Sequence, residues 1–165
     1  MDYRRQEPHP YVKEINSKWF TPKFKSAGYR YEVASSVKRG DICWFNGPFP
    51  CGLMNDLRIF RLSLKSLLRP EEQVIADKGY RGDSKTCTPL DAKNRDHSRA
   101  MGVARARHET LNRRFKQWGA LQGIWRHEDK KHGLVFRSVA TITQLEISNG
   151  RPLFHCEGYE DQVLG

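Results

Sequence analysis

No run of roughly 18 consecutive apolar residues occurs in this chain, which leaves no membrane-spanning helix to be read from it. The segment Met1 to Arg5 is polar and charged, so a secretory signal is not expected. The four cysteines, Cys43, Cys51, Cys87 and Cys156, form no C-x-x-C pair, which argues against a zinc ribbon. We expect them as free thiols in a reducing compartment. No helix-turn-helix, zinc finger or internal repeat is visible, so an obvious sequence-reading module is missing. Acidic residues are outnumbered: 19 Asp and Glu stand against 29 Lys and Arg, giving a net charge of +10. That balance suits a polyanionic partner, nucleic acid first, with a membrane surface, an acidic protein or mere solubility as the other readings. At 165 residues, 38% hydrophobic and 29% charged, the chain has the composition of one soluble globular domain.

Periodicity supplies the elements. Residues 1 to 22, with Pro8, Pro10 and Pro22, read as irregular. Gly28 to Lys38 alternates and is rich in Val and Tyr, the pattern of a strand, and Arg39-Gly40-Asp41 is a turn signal. Ile42 to Asn46 then makes an antiparallel partner, and Gly47, Pro48, Pro50 and Gly52 are expected to break the chain. A helix from about Asn55 to Leu68 would bury Leu57, Phe60, Leu64, Leu67 and Leu68. Gln73 to Asp77 is a short apolar run that fits a buried strand. Residues 83 to 99 lack periodicity and read as a surface loop. A helix from about Arg99 to Leu121 would bury Met101, Ala104, His108, Leu111, Phe115 and Trp118, and one from Leu134 to Ser148 would bury Val135, Val139, Ile142 and Leu145. Asn149-Gly150 closes it.

Two carboxylates stand out by position. Asp77 ends an apolar strand and faces a glycine-bearing loop, the place where sites gather in open α/β sheets, although a strand-end Asp can equally cap such a loop. Glu109 lies mid-helix among Arg105, Asn112, Arg113 and Lys116, where spacing alone favours an ordinary solvated Glu paired with Arg113. Asp56 reads as a helix cap or first-turn acid. His108 reads as a core-edge histidine, His127 and His132 are too isolated for a metal pair, and Trp118 and Trp125 suit packing better than base stacking.

Four blocks then become recognisable. Trp19-Phe20-Thr21-Pro22-Lys23-Phe24 with Gly28-Tyr29-Arg30-Tyr31-Glu32-Val33 resembles the hairpin region of Harbinger-type DDE transposases. Asn46 to Gly52 followed by Asn55-Asp56-Leu57-Arg58-Ile59 resembles their loop and helix. Ala76-Asp77-Lys78-Gly79-Tyr80 is similar to the strand-end block of the second catalytic acid, and His108-Glu109-Thr110-Leu111-Asn112-Arg113-Arg114-Phe115-Lys116 to the block of the catalytic Glu. The resemblance implies an α/β, RNase H-like mixed sheet flanked by helices, over a nuclease domain at 1–154 with a tail at 155–165. It also implies catalytic, metal-holding roles for Asp77 and Glu109, with Asp56 as an auxiliary ligand. The family's first acid sits on the opening strand in an Asp-Gly-Thr block, and the alignment puts that block before or at Met1. That strand is therefore expected to be missing, and Asp2 is not the acid itself.

The resemblance further implies a metal-dependent DNA endonuclease or transposase that cleaves phosphodiesters and joins strands through carboxylate-held Mg or Mn. Arg105, Arg113, Arg114 and Lys116 would draw the phosphates in. DNA is the expected partner, with target choice left to a missing region or a separate DNA-binding protein; an oligomer is compatible, a membrane is not, and the implied location is the nucleus. The alternative is a non-catalytic, transposase-derived fragment that acts as a basic DNA-binding or protein-interaction module.

Overall fold

A computed structural model describes residues 1–6 and 16–156; the proline-bearing stretch at Pro8 and Pro10 and most of the expected tail lie outside these. The chain is mixed α/β, with two small sheets and flanking helices. Strand β3 (Ser26–Ser35) is the spine of the larger sheet. Strand β1 (Asp2–Arg4) pairs antiparallel with it, as do β2 (Phe20–Thr21) and β4 (Ile42–Pro50). Gly28 donates its N–H to Trp19 and accepts from Cys51 N–H, so β2 and β4 follow one another along the same edge. A side chain at Gly28 would meet Thr21 Cγ2 at 2.9 Å and the Tyr3 carbonyl at 3.0 Å, so the close approach of three strands there requires glycine.

Strand alternation sends β3 side chains to two different layers. Tyr29 and Tyr31 face helix α4 (Asp129–Ser148): Tyr31 stacks on Phe136 at 3.9 Å between centroids, and Tyr29 lies 4.5 Å from the His132 ring. Arg30 and Glu32 face helix α1 (Asp56–Leu62) and the turn that follows it. Helix α2 (Arg95–Lys116) adds Leu111 and Phe115 to the Tyr–Phe core, whose members Phe115 and Phe136 are fully buried. Burying each such ring contributes roughly 2–3 kcal/mol. Asn94 caps α2 by accepting from His97 N–H at 2.8 Å, and Asp96 sits in the first turn where the helix dipole favours it. Helix α3 (Gly119–Gln122) is a single turn. The segment after it runs beside β1, with the Trp125 N–H donating to the Arg4 carbonyl and the Trp125 carbonyl accepting from Gln6 N–H. The smaller sheet pairs β5 (Val74–Ile75) with β6 (Thr86–Cys87) in parallel.

Several expectations need correction. Asp2 to Arg4 and Phe20 to Thr21 are strands, not irregular chain, because β3 supplies ladder partners that periodicity cannot reveal. Strand β4 continues through Gly47 and Pro48 to Pro50; it pairs on one side only, so a missing proline N–H leaves no gap in the ladder. The first helix stops at Leu62, passes into a 3₁₀ turn at Leu64–Leu67, and buries Ile59, Phe60 and Leu64, with Leu67 exposed. Residues 83 to 99 are not a featureless loop: they hold β6, a 3₁₀ turn at Pro89–Asp91 and the start of α2. Helix α2 ends at Lys116, so Trp118 falls outside it and is partly exposed, while Arg107 lies in its buried face. Helix α4 begins at Asp129, five residues early, and turns His132, Phe136, Val139, Ala140, Thr143 and Ile147 inward; Ile142 and Leu145 are exposed. Its end is as expected, with Asn149 as the cap and Gly150 at φ +101. The four cysteines are free. No helix among the described residues is long and apolar enough to cross a membrane.

Candidate active site

Asp77 lies one residue beyond β5, after Ala76, and caps the 3₁₀ turn Lys78–Tyr80, its Oδ1 accepting from Gly79 N–H at 2.8 Å. Asp56 opens α1 behind Asn55, which caps that helix by accepting from Arg58 N–H at 2.8 Å. The two acids meet over Gly79. A Cβ there would lie 3.0 Å from Asp77 Oδ1 and 3.4 Å from Asp56 Oδ2, so the absence of a side chain leaves the space into which both carboxylates open. Gly79 thus serves the site as well as the turn.

Glu109 is exposed on α2. Its neighbour His108 reports where it lies: burial lowers the imidazole pKa, and Glu109 and Asp77 both oppose that shift. His108 Nδ1 lies 3.3 Å from Ser35 Oγ at the end of β3, in keeping with a core-edge histidine. Tyr80 is raised above its ordinary value first by burial, then by Asp56, Glu32 and Asp77 in turn. Among the described residues, no group of three or more His, Cys, Asp or Glu is close enough to hold a metal ion.

Arg30 and Glu32 belong to this neighbourhood and are not singled out by the sequence. The Arg30 guanidinium makes a two-point ion pair with Asp2 at 2.8 and 3.0 Å, donates to the Met54 carbonyl at 2.9 Å and lies 3.5 Å from Asp56 Oδ1. The Asp2 hydrogen bond is the foremost of the effects that raise its pKa. Asp2 also accepts from Thr21 at 3.0 Å and is buried, so it braces Arg30 against Asp56, as a structural acid would. Glu32 is 3% exposed and is pushed above the usual carboxylate range by burial. Its Oε2 accepts from Trp44 Nε1 at 3.1 Å and from Ser63 Oγ at 2.8 Å, and its Oε1 is buried without a partner among the described residues. Period-two alternation places both residues on the α1 face, but only the fold shows that α1 delivers Asp56 to the same face. A cavity of about 610 Å³ opens beside Arg30, between Cys51 and Phe20 of β2, with Pro22 just beyond that strand. Burial pushes the Cys51 thiol up to about 12, so it is inert at neutral pH.

The basic residues named from the sequence separate. Arg105 and Arg113 are exposed on the same stretch of α2 as Glu109. Arg114 instead donates to the carbonyls of Arg151 at 2.5 Å and Pro152 at 3.1 Å, and so ties the chain beyond α4 to α2. Lys116 is half-buried, and burial followed by the nearby Lys23 lowers its pKa, against Glu109 and Asp2.

An α/β domain with helices and small sheets, in which Asp56 and Asp77 meet over Gly79 just beyond a short parallel strand, is consistent with a nuclease-like domain. A family model described as DDE superfamily endonuclease matches residues 3–144, and the chain belongs to that family. No curated protein and no solved structure matches it.

Proposed function

We propose that the chain is the catalytic domain of a metal-dependent DNA endonuclease of the transposase type, with Asp77 and Glu109 as its metal-holding carboxylates and Asp56 assisting. The observation that carries this reading is the meeting of Asp56 and Asp77 over Gly79, and the role of Glu109 rests on the family resemblance of its helix block. The donors are all carboxylate oxygens, the hard ligands that Mg and Mn prefer. Magnesium is commonly held by one or two carboxylates, with water and substrate phosphates completing its shell. A set too small for a closed cage therefore suits an ion shared with a bound phosphodiester. Such an ion would supply positive charge for the phosphate and make its bound water more acidic.

The chain's own residues divide the remaining work. Gly79 N–H fixes the orientation of Asp77 by hydrogen bonding to Oδ1. Arg30, held by Asp2, keeps Asp56 at the site and offsets part of its charge. Arg105, Arg113 and Lys116 lie where they can counter the repulsion between carboxylates and phosphates. Joining of cut strands, a nuclear location, an oligomeric state and a separate DNA-binding partner for target choice belong to the same proposal and rest on family chemistry.

The lack of a three-ligand group among the described residues favours a second reading, a non-catalytic basic DNA-binding or interaction module. Plasmid nicking with Mn²⁺, using the longest natural form of the chain, separates the two. The catalytic reading expects nicking that falls at least about a hundredfold in Asp77→Ala and in Glu109→Ala. Salt-dependent DNA binding with no nicking, unchanged in both variants, would establish the module instead.

A further inference from the structure

The tip of the β2–β3 hairpin has no part in the site described so far. Pro22, Lys23 and Lys25 are exposed there, with Phe24 half-buried between them. Arg4, at the end of the adjoining β1, lays its guanidinium over the Phe24 ring at 5.2 Å. Just before β2, Arg5 and Lys18 lie 4.4 and 5.5 Å from the Trp19 ring. An aromatic face attracts a cation electrostatically, so these charges are held in place and lose less freedom on meeting an anion. Among the described residues, Arg4, Lys18, Lys23 and Lys25 make no ion pair with a carboxylate. Lys25 has φ 52, in the left-handed region where glycine or asparagine is the ordinary choice, and the sequence keeps a cation there.

The tip also adjoins the carboxylates. Strand β3 leads from the tip to Arg30, whose guanidinium lies 3.5 Å from Asp56 Oδ1, and burial and then Lys23 lower the Lys116 pKa against Glu109 and Asp2. A polyanion approaching Asp77 and Glu109 is repelled by them and needs cations along its flank. An acidic protein would gain from the basic tip alone, whereas a nucleic acid strand held there would also bring a phosphodiester to carboxylates that, on the nuclease reading, share a metal ion with it.

We propose that the β2–β3 hairpin tip, with Lys23 and Lys25 at its crest, Arg4 on Phe24 and Lys116 from α2, is a clamp for the DNA phosphate backbone beside the Asp77–Glu109 site. The proposal rests on the nuclease reading and adds the path of the strand. The clamp contacts phosphates and not bases, so it contributes affinity and placement without sequence preference.

The test is fluorescence anisotropy of a short labelled duplex over a salt series. The variant K23Q/K25N removes both charges and puts at position 25 a residue at ease with positive φ. The charge-matched control is K38A/R39A, at the opposite end of the ten-residue β3, about 30 Å away. We expect K23Q/K25N to bind about tenfold more weakly, with a slope of log affinity on log salt shallower by about 2, and the control to stay near wild type. Equal loss in the two variants, or none in K23Q/K25N, would overturn the clamp and leave the nuclease reading standing. A wild-type chain that binds no DNA at low salt would remove both.

Discussion

At His132 the imidazole sits among the rings of Tyr29, Tyr31 and Trp125, and its Nδ1 lies 2.7 Å from the Tyr31 hydroxyl. Burial lowers its pKa to about 4, with Asp129 opposing. The folded chain therefore keeps the ring neutral where the unfolded chain would protonate it. Stability from this residue is fully present above about pH 6.5 and is lost as pH falls toward 4, by up to about 3 kcal/mol. Urea denaturation across that range should show stability rising with pH, and His132→Gln should flatten this component whatever its effect on the absolute value. A slope unchanged by the substitution would mean that another group titrates there. The residue also marks a limit of sequence reading. Asp77 was legible because it closes an apolar run next to a glycine. His132, Glu32 and Arg107 were not, because the groups that hold them come from distant segments. Arg107 is 2% exposed and donates to the carbonyls of Ser36 and Val37, residues that carry no recognisable signal for burying a cation.

Among the elements, the segment from Arg81 to Ala92 shows how a region without periodicity becomes ordered. Its anchor is Asp83, whose side chain is 2% exposed and receives Arg61 at 2.9 Å and Lys65 at 2.8 Å, together with Lys85 N–H at 3.1 Å. These partners, Lys65 first, hold its carboxyl well below the usual carboxylate range. Lys85 in turn donates to the carbonyls of Arg69, Pro70 and Glu72. The segment is thereby fastened to the end of α1 and the turn after it, which allows β6 to pair with β5 and set the position of Asp77. Asp83→Ala should cost about 1–2 kcal/mol, a modest loss because Arg61 and Lys65 are exposed enough to rehydrate. Amide exchange at Val74 and Ala76 should speed up by more than that at Leu111, since the loss is local to the β5–β6 pair. Uniform acceleration across the chain would contradict this account. Helices α2 and α4 were legible because their apolar spacing is long and regular, although the buried face of α4 was misphased. Its true face includes His132 and Thr143, which a search for apolar residues passes over.

For the whole molecule, a net charge of +10 and a carboxylate site have to work together. The family was legible in the four sequence blocks. The approach of Asp56 to Asp77 was not, because it depends on which face of β3 receives α1. The central claim is that Asp77 and Glu109 hold a divalent ion jointly with a bound phosphodiester. An ion held by a few carboxylates and by a substrate phosphate together implies reciprocal coupling, in which DNA tightens metal binding and metal tightens DNA binding. The most direct measurement is Mn²⁺ titration followed by electron paramagnetic resonance, with and without a duplex oligonucleotide, on wild type and on Asp77→Ala. The account predicts Mn²⁺ affinity at least about tenfold higher with DNA, and loss of that gain in Asp77→Ala. An equal DNA-dependent gain in both proteins, or none in wild type, would contradict it.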